Sequence, residues 1–207
     1  MRLMEGDYKQ LIYQLSDYLP HGSVRTIARW IIEFNVDFVI SSERKTKLGD
    51  YSHPFGREGH KITINENLNH YEFLVTTIHE FAHLVNWEQN RSKVKPHGKE
   101  WKKNFSEMIN PFIRKGIFPP DIADILQKNR QDLKANCCSD IELQIVLDKY
   151  SKIEGVYLHD LPGRSEFLFN NTRFLKLDQL RKRIMCKNLH NNRKYLFQPL
   201  ARVELAC

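Results

Sequence analysis

The chain has 207 residues, of which 41% are hydrophobic and 28% charged, with 9 Gly and 8 Pro. That length and mixture exclude a disordered or collagen-like chain, and they suffice for one domain of ordinary size plus a small second one. The formal net charge of +7 is unevenly placed: residues 1–149 hold 21 Lys and Arg against 20 Asp and Glu, whereas residues 150–207 hold 11 against 5.

Residues 5–19 repeat apolar side chains at helical spacing (Tyr8, Leu11, Ile12, Leu15, Leu19), and Pro20 and Gly22 stop that helix. Ser23 is a candidate cap for a second helix carrying Val24, Ile27, Ile31 and Phe34. The period then changes to two. Val36, Phe38 and Ile40 predict one strand, and His60 to Asn65 a second, with Ile62 and Ile64 on one face. A long helix is expected from Tyr71 to Trp87, on an apolar stripe of Tyr71, Leu74, Val75, Ile78, Phe81, Ala82 and Val85. Another is expected from Gly98 to Ile109, ending before Pro111, followed by two more over 121–134 and 139–150, capped by Asp121 and Ser139.

From Glu154 onward the runs are short and strand-like: Val156 to Leu158, Phe167 to Phe169, Phe174 to Leu177, Ile184 to Cys186 and Tyr195 to Phe197. Pro162-Gly163, Asn170-Asn171 and Asn191-Asn192 punctuate them as turns. The expected fold is therefore α+β: a helical domain with a small sheet over 1–150, then a small antiparallel β unit over 154–207.

No apolar run reaches the ~18–20 residues of a membrane span. The N-terminal MRLMEGDYKQ lacks the apolar stretch of a signal peptide. Cys137, Cys138, Cys186 and Cys207 form no C-x-x-C pair. The reading is a soluble, cytoplasmic protein with free thiols and no membrane partner.

One motif carries chemistry. His79-Glu80-Phe81-Ala82-His83 is H-E-x-x-H inside the long amphipathic helix. Four residues turn a helix by about 400°, so the two histidines stack on one face, at the flank of the buried stripe. Two imidazoles one turn apart can grip one Zn²⁺ at ~2.0–2.1 Å each. Glu80 is too far round to ligate beside both, and it suits the base that orients and deprotonates a water activated by the metal. A catalytic zinc wants a third protein ligand. Six residues after His83, where a metzincin has histidine, stands Gln89. Glu100 and Glu107 on the next helix, and His97 at its start, are the remaining candidates.

His79 to His83, thirteen residues, then His97-Gly98-Lys99-Glu100-Trp101 resembles the SprT family, which includes the Spartan proteases. Leu48-Gly49 and Lys61 to Asn65 look like the family's approach to the metal helix. The resemblance covers roughly residues 20–113. It implies a zincin-like domain with His79, His83 and His97 as zinc ligands and Glu80 as catalytic acid/base, and it demotes Glu100 and Glu107. It departs downstream, where many relatives carry a zinc ribbon with two cysteine pairs. Here Cys186 and His190 have only the spacing of half a site, so the β unit is expected to be a degenerate ribbon or barrel.

The function implied is a zinc-dependent peptidase acting on protein substrates, associated with DNA by likeness to Spartan. The basic tail would grip phosphate through Arg181, Lys182, Arg183, Arg193 and Lys194, on neighbouring strands. As in zincins generally, the strand before the metal helix can pair with substrate main chain, and His60 to Asn65 is the candidate provided it is an edge strand. Two rivals stand beside this reading. One is a non-enzymatic, zinc-containing nucleic-acid-associated protein. The other is a metal hydrolase of small molecules.

Overall fold

Helical apolar spacing forms α1 (Glu5–Ser16) and α2 (Val24–Glu33), with Leu15, Ile27, Ala28 and Ile31 buried between them and the rest of the core. α1 ends three residues earlier than the spacing predicts, yet Leu19 stays buried, because the amides of Tyr18 and Leu19 both turn back to the Leu15 carbonyl before Pro20. The computed structural model describes residues 5–44, 47–132, 141–151 and 155–206. The chain divides into two compact units, Met1–Ser151 and Lys152–Cys207. Among the described residues it is mixed α+β as expected, with six α-helices, a three-stranded sheet and a separate six-stranded antiparallel sheet. No described helix is long and apolar enough to cross a membrane.

The small sheet holds β1 (Asp37–Ser41), β2 (Gly49–Ser52) and β3 (Lys61–Asn65), in the order β1-β3-β2. β1 runs parallel to β3, and β2 runs antiparallel to it. The sequence stretch His60 to Asn65 is therefore the central strand, with Ile62 and Ile64 fully buried. Both of its edges are already paired, so it cannot accept a substrate strand. The outer strand beside it is β2, whose Gly-Asp-Tyr-Ser sequence has no alternation to announce it.

α3 (His70–Asn90) starts on an Asn69 cap, whose Oδ1 accepts from the amides of Tyr71 and Glu72 at 3.0 Å each. Its apolar stripe, with Phe73, Leu74, Ile78, Phe81 and Ala82 at 0% exposure, forms the centre of the core. α4 (Lys99–Arg114) runs through Pro111 instead of ending before it. Burial of Phe112 and Ile113 holds that last turn despite the missing amide. Gly116, at φ +65°, then closes the helix, with the Ile117 amide reaching back to the Phe112 carbonyl. α5 (Pro120–Asp132) and α6 (Ile141–Asp148) follow. The expected cap Ser139, the ends of those two helices near 134 and 139, and Cys137, Cys138 and Cys207 lie outside the described residues. Asn69 and Glu72 of α3 bind α6 through Leu147 and Gln144, at 2.9 and 2.8 Å.

The second unit comprises β4 (Val156–Tyr157), β5 (Glu166–Phe169), β6 (Thr172–Gln179), β7 (Ile184–Asn188), β8 (Lys194–Phe197) and β9 (Arg202–Leu205). They pair antiparallel in the order β4-β9-β5-β6-β7-β8. Asn170 and Asn171, at φ 49° and 58°, make the β5–β6 turn. Leu158, Leu161, Phe167, Phe174, Ile184, Cys186 and Val203 form the core. Lys176 is buried within it, and its Nζ donates to the carbonyls of Leu158 (2.9 Å), His159 (3.0 Å) and Leu161.

Candidate metal centre

α3 carries His79 and His83 one turn apart, and His97 sits two residues before α4, next to the Gly98 cap. The three rings converge. His79 Nε2 lies 3.1 Å from His83 Nε2 and 3.2 Å from His97 Nε2. A tetrahedral ion held at the zinc–imidazole distance of ~2.0–2.1 Å sets its ligand nitrogens about 3.3–3.4 Å apart. These spacings are close to that. The three nitrogens therefore suit a metal ion, and among the described residues this is the group of metal-ligating side chains that can hold one. His79 is 6% exposed. Burial first, then the neighbouring imidazoles of His79 and His97, hold the His83 pKa down to about 3. His83 is therefore neutral at pH 7 and keeps a lone pair to donate.

Trp101 underlies all three rings, with its centroid 4.6, 5.2 and 4.8 Å from those of His79, His83 and His97. Phe105 stacks on Trp101 at 5.3 Å and also reaches His79 at 6.3 Å. Trp101 is 2% exposed, so the triad rests on a rigid apolar floor. Helical spacing marks Trp101 as core, but nothing in that spacing marks it as the support of the triad.

Glu80 is 7% exposed and points to β2. A Cβ built on Gly49 would lie 2.8 Å from Glu80 Oε1 and 2.7 Å from Thr76 Cγ2. The absent side chain at Gly49 thus leaves room for the carboxylate, a contact hidden from sequence because it joins residues 31 positions apart. Glu100 and Glu107 stay outside the group. Glu100 leans on its own helix start beside Gly98 and Lys99, and Glu107 pairs with Lys103 at 3.9 Å.

In the second unit the five expected phosphate contacts do not form one patch. Arg181, Lys182 and Arg183 lie in the β6–β7 turn, at one end of β7. Arg193 and Lys194 lie at its other end, where Lys194 faces Lys187 across the β7–β8 ladder. Cys186 is fully buried, and its thiol is pushed up to about 11 by that burial. His190 is exposed, so the two do not form the half-site their spacing suggests.

No curated protein and no solved structure matches this chain. A model of the SprT-like family matches residues 11–117, a stretch containing the three histidines, Glu80, Gly49 and Trp101 and more than half of the chain. The protein belongs to the SprT-like family.

Proposed function

We propose that the chain is a zinc-dependent peptidase that hydrolyses protein substrates. The observation that carries this is the convergence of three imidazole nitrogens, with the next residue after His79, the buried Glu80, supplying a carboxylate on the same helix. A purely structural zinc site would close its fourth position with another ligand and has no use for Glu80. Bound zinc supplies Lewis acidity, which polarises a scissile carbonyl and acidifies water. His79, His83 and His97 hold the ion, and Trp101 fixes their rings. Glu80 takes the proton of the attacking water and returns it to the leaving amine. Among the described residues no strand pairs with the outer strand β2 on the side away from β3, and an extended peptide can add there as another strand.

The substrates are proposed to lie on or near DNA, held through the basic second unit. The cluster of Lys187, Arg193 and Lys194 at one end of β7 supports this. The test is Glu80→Gln, which keeps shape but accepts no proton. Zinc content and folding are expected to stay at the level of the unaltered chain, while proteolysis falls by ~10²–10⁴-fold. Undiminished cleavage by the zinc-loaded variant overturns the reading.

A further inference from the structure

β2 and α3 run side by side in the same direction. At one end Gly49 faces Thr76 and Glu80. At the other, His53, the residue after β2, stacks on Trp87 with ring centroids 4.1 Å and planes 9° apart. Four strand steps cover about 13 Å, and the helix from Thr76 or Glu80 to Trp87 covers about 10–16 Å, so the two elements stay in step. His79 and His83 lie along this track on α3. Trp87 follows His83 by one turn, about 6 Å along the axis.

The track gives a bound peptide a direction. If Glu80 protonates the leaving amine, the amine side of the scissile bond lies at the Gly49 end. The acyl side then lies toward His53 and Trp87. That direction is antiparallel to β2, which is also the more stable pairing for an added strand. A distance of ~6 Å is about two residues of extended chain.

The chemistry at that end is aromatic. His53 is exposed although Trp87 covers one of its faces, so its other face is open. The charges nearby are matched: Arg91, over the Trp87 ring at 5.7 Å, pairs with Glu88 at 2.9 Å, and Glu88 also meets His60 at 3.2 Å. The Trp87 indole N–H is buried without an acceptor among the described residues, so the stack offers ring faces. Phe55, in the same β2–β3 connection, is 80% exposed. We infer that the open face of His53, backed by Trp87, is the subsite for an aromatic side chain of the substrate about two residues before the scissile bond. This rests on the peptidase reading above.

The experiment uses the zinc-loaded full chain and alanine–serine peptides, one without Phe and others with a single Phe at successive positions. The cut is expected to follow the Phe, about two residues after it, with kcat/KM raised roughly fivefold over the Phe-free peptide. His53→Ser is expected to bring that ratio to near one, and His53→Phe to restore it. The same peptides are then bound to Glu80→Gln, where the Phe preference and its loss in His53→Ser are read as Kd ratios. Cut sites that ignore Phe, or that fall before it, overturn the subsite and leave the peptidase standing. A binding preference that depends on His53, with no cleavage by any chain, sustains the aromatic site and overturns the peptidase.

Discussion

Gly49 is the residue on which the position of the proposed base depends. Any side chain there meets Glu80 Oε1 and Thr76 Cγ2 inside contact distance, and the long carboxylate arm yields more readily than the threonine. Gly49→Ala is therefore expected to lower kcat about tenfold or more with zinc content unchanged, as a misplaced general base does. In a Glu80→Gln background the same change is expected to have no further effect, which a double-mutant cycle of peptide cleavage measures. A second expectation concerns the third ligand. His97→Ala should weaken zinc binding by more than the ~10–100-fold typical of outer partners, while Glu100→Ala and Glu107→Ala leave it unchanged, as metal titration will report. His79, Glu80 and His83 are legible in sequence because a short motif on one helix brings them within a turn of each other. His97 is one of three candidates by spacing and is singled out only by the family resemblance. Gly49 and His53 are not legible, because each acts through a contact made only when the sheet lies against α3.

At the level of elements, the helices were legible and the strand beside the site was not. α3 and α4 announce themselves by an apolar stripe of helical period. β3 announces itself by alternation, but alternation does not reveal whether a strand is central or outer. That depends on β2, four residues whose pairing is set by the turn and by the packing of Gly49 on α3. Pro111 misleads for a related reason, since local preference yields to burial of Phe112 and Ile113. Where α3 meets α4, Trp101 joins core to site. Trp101→Ala removes the floor under the triad and opens a large void, and a loss of about 3–5 kcal/mol is expected in denaturant unfolding. Trp101→Phe should recover part of this.

Over the whole molecule, charge and chemistry are separated along the chain. The first unit holds the histidine triad and is close to electrically balanced, whereas most of the net charge lies beyond residue 150. A count of charges does not reveal where they fall on a sheet, and β7 divides the expected contacts between its two ends. If DNA is held at the Lys187, Arg193 and Lys194 end, replacing these three by Ser should reduce the slope of log K against log salt by about two to three for duplex DNA. Replacing Arg181, Lys182 and Arg183 should change it little. Equal effects at both ends would mean diffuse attraction, which fluorescence anisotropy across a salt series will separate from a defined contact.

Lys176 gives the second unit a cation of its own, whereas the proposed peptidase site of the first would take one from outside. The turn formed by Leu158, His159 and Leu161 gathers three carbonyls around the Nζ, and the lysine provides the three donors they accept from. A unit this small has little core to spare, and the Lys176 Nζ supplies the donors that hold its turn. Treatment with a strong chelator is therefore expected to silence the histidine site while leaving the melting of residues 152–207 unmoved. Lys176→Met should do the reverse, stranding carbonyls at ~1–3 kcal/mol each and unfolding the β unit with zinc still bound upstream. Calorimetry of the full chain, with and without chelator, distinguishes these outcomes. On the peptidase proposal, one half of the molecule would answer to the supply of metal, and the other to a lysine of its own.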